Sequence, residues 1–536
     1  MDIIDSIFNS KDPTTCTYTE NSISFLKESD DIFKVWPTNV DREHFRNTMT
    51  SDSPECLEAK YPKDGIKKSG KESLLIPKAY IFFWDAISNW LKDCNSDIAP
   101  NVDALWEVMK EHVLLVAIDL NENDSQQAIF ETLNAKGRPL LPADLIKNFL
   151  LYEAEQNNED VQRLYDDYWK VFDSTSSWRE LIVQGRLTRP RVDIFLQHYL
   201  TLQKREETAV THIFESYKEL YKEKLKNASI LSVDPQEQKS SADVKLTVLE
   251  NQLKSFKEYS DVFSEFSVEN KDKRIGLFFK RLKTLDTTTV YPLLLEVFYK
   301  NKYSKFLDSD LYKILQHVES YLIRRLICHL TSKNYNHLFI DLITEITEKD
   351  VSPITISDFL LSKTSETELW PDDSRVLDSI KTISAYGSIK QDRLCMILEA
   401  IDKELDTNKT EPIEITGKLT IEHIMPQKWI TNWPLHALPP ETDDKLKERR
   451  NSLIGTLGNL TLIPGGLNSA YKNAGWLEKR TELGKYSKLN MNRALLSIDD
   501  WNEDEIIRRA KILFDCFIKV WPLPVHSKET HDTAES

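Results

Sequence analysis

Residues 419–429, LTIEHIMPQKW, place a glutamate and a histidine side by side at the end of an alternating apolar run. With the residues before it the run reads IEITGKLTIEHIMP, whose period of two predicts a β-strand that ends near His423. Pro426 removes a backbone donor where strand pairing would otherwise continue. Glu422 and His423 then project to opposite sides of the strand if both stay extended. The pair is either catalytic or an ordinary charged strand end, and the surrounding sequence bears on the choice.

A second strand and a helix follow in IGTLGNLTLIPGGLNSAYKNAGWLEKR, residues 454–480. The run NLTLI predicts the strand, the Pro-Gly-Gly triplet predicts a turn, and the rest predicts a helix that carries Asn468, Lys472 and Lys479. In the long loop between the strands, Trp429 and Trp433 are expected to cover the core, with base stacking as the alternative. The order strand, long loop, strand, helix suits one-metal hydrolysis of a phosphodiester.

The residue types also suit this chemistry. A neutral histidine accepts a proton from water at cellular pH, so His423 is a candidate general base. A hard divalent cation prefers oxygen ligands, and the Glu422 carboxylate and the Asn468 side-chain carbonyl supply two. Such a cation neutralises the charge that develops on the phosphorane and on the leaving oxygen.

The charge distribution singles out the same region. The formal charge of −16 argues against a chain that coats nucleic acid nonspecifically. Residues 423–493 nevertheless hold 11 Lys plus Arg against 6 Asp plus Glu. We therefore expect Lys472, Lys479 and Arg480 to contact DNA phosphates, with a solvated helix face as the alternative.

The motif resembles that of the HNH, or His-Me finger, nucleases. The matching residues are Glu422, His423, Asn459 and Asn468, and the two asparagines are nine positions apart. The resemblance implies that His423 is the base that activates water, that Glu422 and Asn468 bind magnesium or manganese, and that Asn459 fixes the loop bearing the histidine. Glu422 stands where the family more often has Asp, which leaves direct and water-mediated coordination both open.

The chain before this region has mainly helical patterns. Residues 76–94 predict a helix, residues 111–120 (EHVLLVAIDL) a buried strand, and residues 125–137 another helix, with Pro142 in the first turn of the next. Amphipathic stretches then run to about residue 400. One of them contains Arg324 and Arg325, expected on a solvated or salt-bridged helix face, with contact to a partner or phosphate as the alternative.

Two further stretches carry a second resemblance. QAIFETLNAKGRPLLPADLIKN, residues 127–148, resembles the second half of the ParB-like nucleotide-dependent domain of the GmrSD family of modification-dependent (type IV) restriction enzymes. SYLIRRLICHLT, residues 320–331, and the HNH region resemble the same family in the same order, so the likeness covers most of residues 30–520. It implies cleavage of foreign DNA with modified bases, such as glucosylated hydroxymethylcytosine, in antiphage defence, with a nucleoside triphosphate and a divalent metal.

One family motif is missing from this chain. The N-terminal half of the family's first domain carries Asp-Gly-Gln-Gln-Arg, which is associated with nucleotide hydrolysis, and neither it nor a complete Walker-type loop, G-x-x-x-x-G-K followed by Ser or Thr, occurs here. We expect a second subunit to supply the missing half and to complete a nucleotide site across an interface. Asn134 and Lys147 are candidates for lining that site; a helix-ending residue and a solvated helix charge are the alternative interpretations.

The sequence therefore predicts an α+β, mostly α-helical fold. Its expected parts are the C-terminal part of a ParB-like domain (1–155), a helical middle domain (156–405), a ββα-metal HNH nuclease domain (406–521) and a disordered tail (522–536). The predicted function is a metal-dependent DNA endonuclease subunit of a restriction system. A non-catalytic subunit for modified-DNA binding or assembly, and an RNA-directed HNH nuclease, are the alternatives.

The remaining composition fits a protein of the cytoplasm. No apolar run approaches the roughly 18 residues that a bilayer span needs, and no basic segment precedes the first apolar residues. We therefore expect no membrane partner. The six cysteines lie far apart without a C-x-x-C pair, which predicts reduced, mostly buried thiols rather than disulfides or a structural zinc.

Overall fold

The computed structural model describes residues 37, 41–51, 53–61, 75–93, 98–113, 140–184, 187–231, 241–304, 306–405, 418–435, 442–465, 472–485 and 489–525. The chain divides into two compact units, residues 1–193 and 194–536. Both are mainly helical and each contains a two-stranded sheet, which agrees with the predicted class. None of the described helices is long and apolar enough to cross a membrane.

The first unit contains short and medium helices and one hairpin. Its described elements are α1 (Arg42–Met49), α2 (Pro54–Lys60), α3 (Leu75–Asp93), α4 (Ile98–Glu107), a π-helical turn (Val108–His112), α5 (Pro142–Gln156), α6 (Val161–Leu164), a second π-helical turn (Tyr165–Trp169), α7 (Lys170–Ser174), α8 (Ser176–Arg179), β1 (Leu181–Gln184) and β2 (Leu187–Pro190). Helix α9 (Arg191–Lys204) begins in this unit and continues into the second.

The predicted helices of this unit are confirmed where the structure describes them. Helix α3 begins within one residue of the predicted start, and Pro142 occupies the first turn of α5. Glu111 and His112 belong to a π-helical turn rather than to the predicted strand. The rest of that strand after Val113, and the helix predicted over residues 125–137, lie outside the described residues.

The second unit contains longer helices, followed by the predicted strand–strand–helix region. Its described elements after α9 are a 3-10 turn (Val210–His212), α10 (Ile213–Leu231), α11 (Ser241–Ser264), α12 (Lys273–Leu285), α13 (Tyr291–Tyr303), α14 (Asp308–Ile327), α15 (Tyr335–Lys349), α16 (Pro353–Leu361), α17 (Asp373–Thr382), α18 (Gln391–Glu404), β3 (Leu419–His423), α19 (Asp443–Leu453), a 3-10 turn (Leu457–Asn459), β4 (Leu460–Pro464), α20 (Trp476–Gly484), α21 (Asn490–Arg493), a 3-10 turn (Ala494–Ser497) and α22 (Glu503–Val520).

The two arginines near the end of α14 are fully buried, so neither lies on a solvated face, whereas the salt bridge that the same interpretation allowed is present for Arg324, with Asp373. Arg324 donates to the carbonyl oxygens of Trp521 at 2.8 Å and Pro371 at 3.1 Å, and its guanidinium lies 2.7 Å from the Asp373 carboxylate. Arg325 donates to four backbone carbonyls, those of Thr331, Glu366, Thr367 and Leu369. Both cations therefore hold loop backbone in place, because a planar guanidinium offers five donors in a fixed arrangement.

Trp521, directly after α22, contacts α14, a helix that precedes the β3–β4 sheet in the chain. Its ring is fully buried and its Nε1 donates to Glu319 on α14 at 2.6 Å. Ser320 donates to the next carbonyl, that of Pro522, at 2.8 Å. The helices from residue 194 onward and the region after residue 418 therefore belong to one compact unit.

An aromatic core lies beneath the short sheet of the second unit. It includes Trp429 and Trp433 from the long loop between the strands, which confirms their predicted place in the core. The other buried members are Ile424, Met425, Leu453, Ile454, Ile463, Trp476, Leu483, Leu495, Trp501 and Ile506. This core receives side chains from β4, from the residues directly after β3, and from α20 and α22. It therefore fixes the sheet relative to these helices.

The cysteines follow the prediction only in part. Cys328 and Cys516 are buried, Cys395 is half-buried and Cys56 is exposed, and all four are free thiols. Cys16 and Cys94, like the tail predicted from residue 522 except for 522–525, lie outside the described residues.

Gly458 provides a test of the packing between the 3-10 turn before β4 and helix α22. A Cβ at this glycine would lie 2.3 Å from the Ile506 backbone oxygen and 3.0 Å from the Ala510 Cβ. Gly458→Ala is expected to destabilise the second unit by roughly 2 kcal/mol, since a well-packed backbone contact has no room for an added methyl group. Calorimetric melting of the full chain measures this as a lower midpoint.

Gly475→Ala is the matched control for this substitution. The nearest atom to its added Cβ is the Asn432 backbone oxygen at 3.6 Å, an ordinary contact, and the backbone φ is −66°. Gly475 is the N-cap of α20, where Ala is less favourable than Gly, so we expect a loss of about 0.5 to 1 kcal/mol, smaller than at Gly458. Equal destabilisation by the two substitutions would contradict the described packing of Gly458.

Candidate active site

The candidate site is built on two antiparallel strands. In the β3–β4 register Glu422 lies opposite Thr461 and His423 opposite Leu460. The pairing continues one step further, where the Ile424 amide donates to the Asn459 carbonyl oxygen at 2.9 Å. The predicted strand end at His423 and the predicted strand NLTLI are therefore both confirmed, apart from Asn459 itself, which ends the preceding 3-10 turn.

Asn459 clamps the chain directly after His423. Its side chain is fully buried, and its Oδ1 accepts from the Met425 amide at 2.8 Å and from Trp501 Nε1 at 3.1 Å. Its Nδ2 donates to the carbonyl oxygens of Met425 at 2.8 Å and Ile454 at 2.9 Å. An amide has two donor hydrogens and two acceptor lone pairs, so this side chain uses all four. These are the contacts that a residue fixing the histidine-bearing segment requires.

His423 has one ring nitrogen without a partner. Its Nε2 is buried and has no hydrogen-bond partner among the residues that the structure describes. Burial, with the positive charge of Lys479 as the smaller cause, lowers the pKa of His423 to about 4. The ring packs edge-on against Tyr386, with centroids 4.3 Å apart. The imidazole is thus neutral at cellular pH and is held in a defined orientation.

Tyr386 is a contributor that the sequence did not reveal. It lies between α17 and α18, outside the strand–strand–helix motif. The amides of Ala385 and Tyr386 both donate to the Gly455 carbonyl oxygen, at 2.9 Å and 3.1 Å, and this ties the segment to the turn before Asn459. No spacing rule connects residue 386 to His423, so only the folded structure brings the two rings together.

Glu422 pairs with a buried lysine. Lys479 Nζ lies 2.9 Å from Glu422 Oε1 and also donates to the Lys472 carbonyl oxygen at 2.9 Å. The Lys479 side chain has no exposed surface and that of Glu422 is 12% exposed. Burial lowers the pKa of Lys479, while the Glu422 charge opposes this change. The sequence predicted that Lys479 would contact a DNA phosphate from the protein surface. Its ammonium instead lies buried next to Glu422.

The other residues predicted to bind DNA remain at the surface to differing degrees. Lys472 is exposed and lies in a turn before α20 rather than on the predicted helix. Arg480 lies on α20 and is 27% exposed; it donates to the Ile498 carbonyl oxygen at 2.8 Å and approaches Asp499 at 3.7 Å. A role in DNA binding stays a prediction for both.

Two predicted site residues cannot be placed and a third has other contacts. Asn468 and Asn134 lie outside the described residues. In the first unit, Lys147 lies 3.0 Å from Asp173 and 3.5 Å from Asp144, with only 19% of its side chain exposed. It is therefore paired and largely buried rather than a solvated helix charge, and its nucleotide-binding role stays a prediction.

Buried arginines hold the frame of the site. Arg509 donates to the carbonyl oxygens of Gly458 at 2.8 Å and Leu460 at 2.7 Å, on either side of Asn459. Burial lowers its pKa to about 9. Arg450 pairs with Glu503 and donates to the Trp433 carbonyl oxygen at 2.8 Å, which anchors the long loop between the strands. The sequence did not predict either role.

The oxygen donors around Glu422 show whether the described residues suit the predicted divalent metal. Of the two predicted ligands, Glu422 is the one within the described residues, and a cationic group, the Lys479 ammonium, already contacts its carboxylate. A carboxylate that holds a cation inside the site has the hard-oxygen chemistry that magnesium and manganese require. Within the described ranges, no cluster of three or more His, Cys, Asp or Glu side chains could hold a metal ion. Asparagine oxygens fall outside that set of donors.

Two family models match the chain, one in its N-terminal part and one in its C-terminal part. The model of the N-terminal domain of GmrSD restriction endonucleases matches residues 6–151, and that of their C-terminal domain matches residues 370–516, which include the site. No curated protein matches the chain. The protein is thus a nuclease of the restriction type, which acts on DNA by hydrolysis. The chain belongs to the GmrSD restriction endonuclease family.

The Asn459 clamp predicts a large effect of a small substitution. Asn459→Ala leaves four buried backbone and indole groups without their partner, each at a cost of roughly 1 to 3 kcal/mol before relaxation. We expect the thermal midpoint of the second unit to fall by roughly 6 °C or more, measured by differential scanning calorimetry. Asn473→Ala, at an exposed position before α20, is the control and is expected to change the midpoint little.

The depressed pKa of His423 predicts a pH dependence of stability. The unfolded chain takes up a proton near pH 6.5 and the folded site only near pH 4, so this stabilisation is complete above 6.5 and is lost as the pH falls through 4. In chelator, the melting midpoint of the wild type should therefore drop more between pH 7 and pH 4.5 than that of His423→Gln. Parallel pH profiles of the two proteins would contradict the burial of a neutral His423.

Proposed function

We propose that this protein is an HNH-type, metal-dependent DNA endonuclease that cuts DNA with modified bases in cytoplasmic antiphage defence. Membership in the GmrSD family supports the restriction-type nuclease. The β3–β4 hairpin with α20 supports the ββα-metal arrangement, because it presents Glu422 and His423 at the end of the first strand.

The observation that carries the proposal is the buried Nε2 of His423, which has no hydrogen-bond partner within the described part of the chain, directly after the half-buried Glu422 in the same strand. Buried polar atoms normally have hydrogen-bond partners, and a catalytic role is one of the explanations for an exception. A neutral imidazole nitrogen can accept the proton of an attacking water. An anionic phosphodiester next to the ring favours the protonated form, and thereby raises the pKa of His423 from about 4 toward the working pH.

The other residues of the site position this base. Asn459 holds the Met425 backbone, and Tyr386 packs against the imidazole. Glu422 and Asn468 would hold the divalent metal, which when bound supplies charge stabilisation for the phosphate and the leaving oxygen. Lys472 and Arg480 are the exposed or partly exposed cations that would contact the DNA backbone.

The proposal also includes a second subunit and a nucleoside triphosphate. Residues 6–151 match the family's N-terminal domain, the domain in which a nucleotide site with an Asp-Gly-Gln-Gln-Arg motif is expected. The partner is expected to carry that motif and to complete a nucleotide site near Lys147 and Asn134. Nucleotide hydrolysis at a normal rate by the purified chain alone would contradict this part.

Substitution of the base tests the catalytic part. His423→Ala should reduce cleavage of phage DNA that carries glucosylated hydroxymethylcytosine by roughly 100-fold to 10,000-fold, the usual contribution of a general base. The measurement is a timed endonuclease assay on modified DNA, unmodified DNA and RNA, with and without the expected partner. His212→Ala, an exposed histidine before α10, is the control and should retain cleavage.

The same assay separates the proposed function from its alternatives. Equal cutting of modified DNA by the wild type and His423→Ala would remove His423 from the mechanism. Cutting of RNA in preference to DNA would assign a different substrate to the same site. Defence that persists in cells expressing His423→Ala would assign the chain to binding or assembly rather than to cleavage.

A further inference from the structure

The ion pair between Glu422 and Lys479 has an unusual place for a lysine. Its ammonium is wholly buried, 2.9 Å from the carboxylate oxygen Oε1 that the metal would also use as a ligand group. Lys479 also interacts with His423, whose protonated form its charge disfavours. A cation of the chain itself thus already contacts the carboxylate that would bind a divalent ion.

Two contacts hold the ammonium there. One is Glu422, and the other is the Lys472 carbonyl oxygen at 2.9 Å, in the turn that leads into α20. Lys479 itself lies in α20, so its backbone is fixed by the helix. An ammonium that is buried this deeply loses most of its compensation when its carboxylate is taken away, since the carbonyl dipole alone does not replace a full negative charge.

A divalent ion would therefore compete with the Lys479 ammonium for the Glu422 carboxylate. To bind the carboxylate it must either displace Lys479 or share the group with it, and two cations near one carboxylate repel each other strongly at low dielectric. The repulsion falls when further negative charge enters the site. A DNA phosphate brings such charge together with anionic oxygen ligands for the metal.

We propose that Lys479 is a positioning residue that occupies Glu422 as an internal counter-ion and makes metal binding conditional on bound DNA. This rests on the proposed metal-dependent nuclease. In the free protein Lys479 neutralises Glu422 and keeps the affinity for a divalent ion low. When a phosphodiester enters, its charge and its oxygens allow the ion to compete for Glu422, so that the complete site forms only on substrate.

Mn²⁺ binding to the full chain tests this without any cleavage. Mn²⁺ alone is titrated into wild type, Lys479→Met and Lys479→Arg, and free Mn²⁺ is followed by electron paramagnetic resonance. Lys479→Met should bind Mn²⁺ at least tenfold more tightly than the wild type, because the competing charge is gone, whereas Lys479→Arg should resemble the wild type. Equal or weaker binding by Lys479→Met overturns the proposal.

The double variant Glu422→Gln/Lys479→Met shows whether the gain acts through Glu422. It removes both charges of the pair, and the tenfold gain should disappear. A gain that persists in the double variant overturns the proposal, because the lysine would then act on a different ligand. Circular dichroism of each variant confirms that the chain is folded before titration.

A measurement on the wild type alone covers the case in which Lys479→Met does not fold. Its Mn²⁺ affinity is compared with and without a phosphodiester duplex, after subtraction of Mn²⁺ bound to the DNA itself, and with an uncharged methylphosphonate duplex. At least tenfold tighter binding with the phosphodiester only is expected. No change with either duplex overturns the proposal.

Failure of this inference and failure of the proposed function give different results. Unchanged cleavage by His423→Ala would overturn the catalytic role of His423. The Mn²⁺ titrations would still test the role of Lys479 independently. Equal Mn²⁺ affinities of the wild type and Lys479→Met, with cleavage still lost in His423→Ala, would overturn only the role given to Lys479.

Discussion

Four hydrogen bonds from the Asn459 amide determine where His423 can be. They connect the start of β4 with the Met425 backbone, with the end of α19 at Ile454 and with the Trp501 indole. Arg509 then fixes the two carbonyls on either side of Asn459. His423 is thus positioned chiefly by the residues around the start of the second strand and by the last helix, and only in part by the strand that carries it.

The charges inside the second unit serve geometry more than stability. Pairs such as Arg450 with Glu503 and Lys479 with Glu422 are nearly free of solvent, and the cost of desolvating both partners offsets most of their attraction. Such a pair instead fixes the relative position of the two segments that carry its side chains, because few arrangements satisfy its geometry. Arg450 determines the course of the long loop, and Lys479 the position of the Glu422 carboxylate.

Local patterns in the sequence predicted the frame of the site. Alternation before His423, the run NLTLI and the core tryptophans of the loop depend on neighbours along the chain, and all appear as expected. Contacts over long separations were beyond such patterns. Tyr386 against His423, the burial of Arg324 and the pairing of Lys479 depend on how distant segments meet. The β1–β2 hairpin was missed for another reason, since its four-residue strands lie within otherwise helical sequence.

The burial of Arg324 has a consequence for the synthesis of the protein. The carbonyl of Trp521 that Arg324 binds belongs to a residue 197 positions further along the chain. While the ribosome is still making that stretch, two partners of Arg324, the Pro371 carbonyl and the Asp373 carboxylate, are already synthesised, but the acceptor for its Nε is missing. The hydrogen bonds of Arg324 are complete only when α22 has emerged and Trp521 is in place, so α14 and the last helix depend on each other within the second unit. A chain that stops within α22 leaves the Arg324 Nε without this acceptor.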